Sequence, residues 1–176
     1  MLFGVHIYGG FPLALFSLLL LMAVITDVTR YRIPNWIPLS LIVLFIGFAA
    51  ISPEPVAWRS HLGAGVFAFI LGALLYVFRP ILGAGDVKLL TAVSLWLGAP
   101  ALPAYLLLVS VCGGILAIGL WTVREVMARL GPRLAKGRGG FSVPRVLVRE
   151  AKIPYGVAIA VGVIPLYMGF PGLLPS

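Results

Sequence analysis

The chain has 176 residues, of which 61% are hydrophobic and 10% are charged, and its formal net charge is +8. Soluble domains contain roughly 45–50% apolar residues, so this composition excludes a water-soluble protein. It predicts one membrane-embedded domain over residues 1–176, with the lipid bilayer as a partner. The basic residues cluster between apolar runs, where membrane orientation is the commoner cause, so we predict no nucleic-acid partner.

Six apolar runs are candidates to cross the roughly 30 Å hydrocarbon layer of a bilayer. They cover residues 9–28, 35–51, 62–79, 86–99, 102–123 and 153–170. The first run lacks the basic start and cleavage pattern of a signal peptide, so we expect it to be retained. Pro100 and Pro103 separate the short fourth run from the fifth. The runs predict an all-α, polytopic membrane protein with about six transmembrane helices.

The 13 Lys and Arg residues are distributed unevenly around these runs. If all six runs cross and the first enters from outside, every basic residue except Arg59 lies on the inner side, as the positive-inside rule requires. Residues 124–152, rich in basic residues and glycine, then form a basic cytoplasmic loop with room for a short amphipathic helix at its start.

The two aspartates of the chain, Asp27 and Asp86, end the first run and open the fourth, so both belong to the inner side. An ionisable group in a membrane segment is a functional-site hypothesis by default. Alternatively, Asp27 pairs with Arg30, and Asp86 serves the first turn of a helix. Two close carboxylates do not both ionise easily, so one acts as general base on water while the other polarises an amide carbonyl.

Six residues near the aspartates are predicted to bind substrate or shape the site. They are Gly83, Gly85, Lys88, Asn35, Pro154 and Tyr155. The two glycines permit close backbone approach beside Asp86, or simply punctuate a helix. The lysine either contacts substrate or anchors at the interface, and the asparagine either contacts substrate or caps a helix. The proline and tyrosine either shape a substrate groove or form an ordinary helix entry.

Metal and disulfide chemistry find little support in the sequence. Cys112 is the single cysteine, so neither an internal disulfide nor a multi-cysteine metal site can form within the chain. His6 and His61 fall near the outer side, away from the aspartates, and are predicted to be interfacial residues rather than ligands.

Three segments in order resemble the type IV prepilin peptidases, which are GxGD intramembrane aspartic peptidases. Gly83-Ala84-Gly85-Asp86 resembles the GxGD motif, residues 27–36 resemble the region of the first aspartate, and residues 153–160 resemble the final-segment motif. The resemblance implies that Asp27 and Asp86 are the catalytic pair. It also implies a multi-pass inner (plasma) membrane protein that cleaves the basic leader from prepilin or pseudopilin precursors at the cytoplasmic face, serving the pilus assembly machinery.

The chain departs from the longer members of that family, which carry a four-cysteine zinc domain and N-methylate the new terminus. The departure implies cleavage without N-methyltransferase activity, with no metal and no cofactor. The short form of the chain resembles the CpaA/TadV-like branch, which serves Flp-type pili. Archaeal preflagellin peptidases share the same pattern. From other classes, a proton- or cation-coupled transporter using the aspartates and a non-enzymatic membrane scaffold are the alternatives.

Overall fold

The computed structural model of the protein describes residues 10–53, 55–78, 82–135 and 153–167. Its helices are α1 Gly10–Arg30, α2 Trp36–Ile51, α3 Trp58–Phe78, α4 Ala84–Ala135, α5 Tyr155–Val161 and α6 Ile164–Tyr167. No strand occurs within these ranges. The all-α class predicted from the apolar runs is therefore confirmed for the described part of the chain.

Three helical segments are long and apolar enough to cross a membrane, namely Phe11–Arg30, Trp58–Phe78 and Ala84–Arg129. Two shorter apolar segments, Trp36–Ile51 and Tyr155–Leu166, accompany them. A helix of 16 residues such as α2 measures roughly 24 Å, which is less than the hydrocarbon thickness. These lengths support a membrane protein, while six separate crossings remain a prediction.

A break at Gly98 divides α4 into two limbs, residues 84–97 and 99–135. Gly98 has φ 73° and ψ 174°, a backbone conformation that essentially only glycine adopts. The sequence predicted a separation between the fourth and fifth runs at Pro100 and Pro103, and the break at Gly98 confirms it, two residues before Pro100. Pro100 lies in the first turn of the helix that follows the break, where the missing N–H of a proline needs no partner.

The second limb of α4 continues to Ala135, so residues 124–135 are helical. The predicted basic loop 124–152 therefore begins as helix, and its remaining residues, 136–152, lie outside the described part. His6 lies outside it as well.

The first limb of α4 is the centre of the helix bundle. Every residue from 86 to 97 is buried except Lys88 and Thr91, so the other helices enclose this limb on nearly all sides. Trp96 lies 5.0 Å from Phe16 and 5.6 Å from Phe45 between ring centroids, and its Nε1–H donates to the carbonyl of Leu41 at 2.9 Å. These contacts attach α1 and α2 to the limb that begins beside Asp86.

The first turn of α3 satisfies the backbone groups that the break in α4 releases. Ser60 Oγ accepts from the N–H of Ala99 at 3.0 Å, and His61 Nδ1 donates to the carbonyl of Leu95 at 2.8 Å. His61 is only 2% exposed. His61 is therefore packed inside the bundle, where the broken helix offers it a carbonyl partner, and its position at the membrane interface stays a prediction.

Candidate active site

Asp27 and Asp86 line one cavity of about 260 Å³. Asp27 comes from the last turn of α1 and Asp86 from the first turn of α4, and the two residues are 5% and 7% exposed. The other residues that line the cavity are Tyr31, Arg32, Ile33, Asn35, Gly83, Ala84, Gly85 and Lys88. The fold thus brings the two predicted aspartates to a single site.

The carboxylate of Asp27 is held by a backbone donor from the far end of the chain. The N–H of Gly156, in the first turn of α5, donates to Asp27 Oδ2 at 2.7 Å. The first N–H groups of a helix have no partner within it, so a carboxylate there is favoured by both hydrogen bonding and the helix dipole. No ion pair joins Asp27 to Arg30 in the described residues, so the pairing considered from the sequence is not formed.

The carboxylate of Asp86 also accepts a backbone hydrogen bond. Asp86 Oδ2 accepts a hydrogen bond from the N–H of Gly83 at 2.8 Å. The side chain thus reaches back to the residue just before α4, as the acidic residue of a capping box does. The helix-start interpretation of Asp86 is therefore correct, and the same side chain lines the cavity. The two roles are compatible because an ionised carboxylate accepts several hydrogen bonds through its two oxygens.

The glycines of the GxGD segment make room for neighbours within the chain. A Cβ on Gly85 would lie 3.1 Å from Ile33 Cβ and 3.3 Å from the Ile33 carbonyl oxygen. A Cβ on Gly83 would lie 3.0 Å from Asp86 Oδ2. Gly85 therefore lets the start of α4 approach the connection between α1 and α2, and Gly83 leaves space for the capping carboxylate.

Lys88 and Asn35 form a polar bridge at the edge of the cavity. Lys88 Nζ donates to Asn35 Oδ1 at 2.8 Å, and both side chains line the cavity. Asn35 precedes α2 without a side-chain capping bond, so the capping interpretation was wrong. The bridge connects the start of α2 to the first limb of α4.

Pro154 and Tyr155 do not line the cavity but position the residue that follows them. Pro154 is buried directly before α5, and a Cβ on Gly113 would lie 3.0 Å from Tyr155 Cε1, so the tyrosine ring packs on α4. These contacts place Gly156 against Asp27. Sequence reasoning missed Gly156 as a site residue, although its position after a proline and a tyrosine at a helix start was a usable signal.

Tyr31 also lines the cavity, and the sequence analysis did not predict it as a site residue. It follows directly after α1, and its N–H donates to the carbonyl of Asp27 at 2.9 Å. Its φ is 51°. The left-handed region costs a residue with a side chain about 1–2 kcal/mol, which is why glycine usually occupies this position after a helix. The Tyr31 hydroxyl is buried and has no hydrogen-bond partner in the described residues.

The chemistry available at this cavity is that of two carboxylates. Within the described ranges, no group of three or more His, Cys, Asp and Glu residues is placed to hold a metal ion. Two buried carboxylates that come close together can share a proton, and such a pair supplies both an acid and a base.

Comparison with known proteins assigns this arrangement to a family. Residues 14–118, which include both aspartates, match the sequence model of the type IV leader peptidase family. Among the relatives is the prepilin leader peptidase/N-methyltransferase of Aeromonas salmonicida, 30% identical over 123 residues that cover 67% of this chain and 42% of that protein. The protein of the same name from Klebsiella pneumoniae is 37% identical over 112 residues, which cover 61% and 48%. No solved structure matches.

The fold and the site define a helical membrane protein with a buried carboxylate pair near one end of its bundle. The family match extends over more than half of the sequence, so the chain belongs to the type IV leader peptidase family, as its three motifs indicated. The chain spans about half the length of the curated relatives it matches.

Proposed function

We propose that this protein is a membrane aspartic endopeptidase that removes the basic leader peptide from type IV prepilins, with Asp27 and Asp86 as its catalytic pair. The observation that carries the proposal is the convergence of both aspartates on one cavity, each with an oxygen fixed by a backbone N–H. A constellation held in this way needs little reorganisation when substrate binds.

In the proposed reaction, one carboxylate is ionised and takes a proton from the attacking water. The other is protonated and donates a hydrogen bond to the scissile carbonyl, which stabilises the charge that develops on its oxygen. Collapse of the tetrahedral intermediate breaks the C–N bond, and the pair delivers a proton to the leaving amine. The pair exchanges the proton as a unit, so neither residue is assigned it permanently.

Charge supports a cytoplasmic position for the cavity. Arg30, Arg32 and Lys88 are exposed at the same end of the bundle as the aspartates. Basic residues near the ends of membrane segments favour the cytoplasmic side. A prepilin presents a basic leader and a hydrophobic helix, so its cleavage point would meet the cavity where α1 and α4 bring the carboxylates together at the membrane boundary.

The position of the carboxylates favours a peptidase over a coupled transporter. Transporters place such groups near the middle of the membrane on discontinuous helices. Here Asp27 lies in the last turn of α1 and Asp86 in the first turn of α4, and the break in α4 at Gly98 is about 18 Å of helix away from Asp86.

The finer assignment is a prepilin peptidase of the Flp-type branch that needs no metal and does not methylate its product. The named relatives combine leader peptidase and N-methyltransferase, while this chain has a single cysteine and therefore lacks a four-cysteine zinc site within its 176 residues. Archaeal-type preflagellin cleavage is the alternative substrate choice. Paired incubations with a prepilin and a preflagellin, with and without a methyl donor, distinguish these outcomes by product mass.

The test of the proposal is cleavage of a purified precursor in detergent or liposomes. The precursor carries a basic leader followed by a hydrophobic helix, and mass spectrometry maps the new terminus. We expect a single cut at the junction by the wild-type protein and none by Asp27→Asn or Asp86→Asn, with all three proteins melting at similar temperatures. If the precursor remains intact after incubation with folded wild-type protein, the proposal is contradicted.

A further inference from the structure

The bridge between Lys88 and Asn35 places a positive charge at the edge of the proposed catalytic cavity. Lys88 lies in the first limb of α4, two residues after Asp86, and Asn35 directly precedes α2. Both residues line the cavity together with the two aspartates, and both are exposed. The hydrogen bond from Lys88 Nζ to Asn35 Oδ1, at 2.8 Å, therefore lies in a part of the cavity wall that is open to a ligand.

The bridge contributes little to the stability of the fold. In an exposed contact, water competes for both partners, and holding a long lysine side chain in one rotamer costs entropy. The buried bond from Trp96 to the Leu41 carbonyl already joins the two helices. The side chain of Asn35 does not cap α2 either. The main consequence of the bridge is thus a fixed position for the ammonium group.

An ammonium group held in this way is a hydrogen-bond donor for acceptor oxygens. It carries three N–H donors and no acceptor, and the bond to Asn35 uses one donor. An extended peptide beside the aspartates presents backbone carbonyls on both sides of the scissile bond, whatever its sequence. Because Asn35 already restricts the side chain of Lys88, binding such a carbonyl costs less rotamer entropy than it would for an unrestrained lysine.

We propose that Lys88 is a substrate-binding residue whose ammonium donates a hydrogen bond to a backbone carbonyl of the bound precursor, and that Asn35 is the positioning residue that holds the ammonium at the cavity edge. The inference rests on the proposed peptidase function. It gives the pair a part in binding, while the proton transfers belong to the aspartates. A contact made equally in the bound and reacting states lowers KM without raising kcat.

The experiment measures kcat and KM for precursor cleavage by full-chain variants, with thermal unfolding in the same detergent. Lys88→Met removes the donor but keeps the apolar stem of the side chain. Asn35→Ala removes the acceptor for Lys88, whereas Asn35→Asp keeps an oxygen there. The double variant combines Lys88→Met with Asn35→Ala. Arg30→Met is the matched control, because Arg30 is exposed at the same end of the bundle but does not line the cavity.

For Lys88→Met we expect KM to rise about fivefold, as for the loss of one hydrogen bond, and kcat to change by less than about twofold. Asn35→Ala raises KM by a smaller factor, because the ammonium remains but is no longer held, and Asn35→Asp raises it less than Asn35→Ala does. The double variant matches Lys88→Met, because Asn35 acts only through the lysine. Arg30→Met keeps the wild-type KM.

A second precursor distinguishes a backbone carbonyl from a side-chain carboxylate as the acceptor. In this precursor, every Asp and Glu near the cut is replaced by Asn or Gln. We expect Lys88→Met to raise KM by the same factor with both precursors, because the backbone carbonyls are unchanged. If the increase disappears with the amide-bearing precursor, the acceptor is a carboxylate and the inference is overturned.

Other results would also overturn the inference. A wild-type KM in Lys88→Met, or an equal rise in Arg30→Met, would remove the specific contact. A further rise in KM in the double variant would remove the positioning role of Asn35. A parallel fall in activity and melting temperature would show that the bridge is structural. If the wild-type protein cleaves and Asp27→Asn does not, these results leave the peptidase proposal intact. If the wild-type protein leaves the precursor intact, both fail together.

Discussion

Replacing Gly156 by alanine probes the contact that fixes Asp27. The added Cβ would lie 2.7 Å from Asp27 Oδ2 and 3.0 Å from Ile33 Cδ1, whereas ordinary contact begins at 3.4 Å. The carboxylate oxygen must therefore retreat by about 0.7 Å, which also lengthens its 2.7 Å bond to the Gly156 N–H. Because a misplacement of about 1 Å can cost a factor of 100 in rate, we expect kcat to fall roughly 30- to 100-fold.

The assay is precursor cleavage under saturating substrate, with thermal unfolding measured in the same detergent. Gly162→Ala is the matched control for crowding, since its Cβ would lie 2.9 Å from Val109 Cγ2, away from the aspartates. Gly63→Ala is the control for helix propensity, because nothing lies within 4 Å of its Cβ. We expect Gly162→Ala to lose stability but to keep its activity per folded molecule. We expect Gly63→Ala to gain a little stability from the higher helix propensity of alanine and to keep its activity. Wild-type kcat in Gly156→Ala would refute the role assigned to this contact.

Two further predictions concern the break in α4 and the bridge at the cavity edge. Gly98→Ala forces a residue with a side chain into a backbone conformation that essentially only glycine adopts. We therefore expect the free energy of unfolding, measured in detergent, to fall by about 2 kcal/mol. Unchanged stability would contradict the break in α4. Lys88→Met keeps the apolar stem of the side chain but removes the hydrogen-bond donor to Asn35. We expect kcat/KM to fall several-fold, by less than about tenfold. The melting temperature should stay nearly unchanged, because the bridge is exposed. A thousandfold loss in cleavage would instead place Lys88 in the chemistry.

The sequence was sufficient to locate the two aspartates because their placement depends on hydrophobic patterning. Each lies at one end of an apolar run, and the sequence predicts that runs of alternating direction bring those ends to one side of the membrane. That Asp27 and Asp86 line one cavity agrees with this prediction. Lys88 and Asn35 were identified by their proximity in the motifs, but their mutual hydrogen bond depends on how α2 packs against α4.

The features that the sequence did not reveal depend on backbone conformation and distant contacts. The break at Gly98 is possible because Ser60 and His61 bond to the backbone groups it releases, and these partners come from another helix. Proline has a stronger local signature than glycine, so the boundary was assigned to the nearby prolines. Gly156 contributes its backbone N–H and the space that its missing side chain leaves for Asp27. The conformation of Tyr31, with φ 51°, cannot be predicted from its residue type.

The most direct test of the account is whether Asp27 and Asp86 act as one unit. Single and double asparagine variants are compared with wild type in precursor cleavage, after thermal unfolding has shown that all of them fold. We predict that each single variant loses activity by roughly a thousandfold or more and that the double variant is no worse than either, because groups that share one step are non-additive. Substantial activity in either single variant, or losses that multiply in the double variant, would contradict a shared catalytic role.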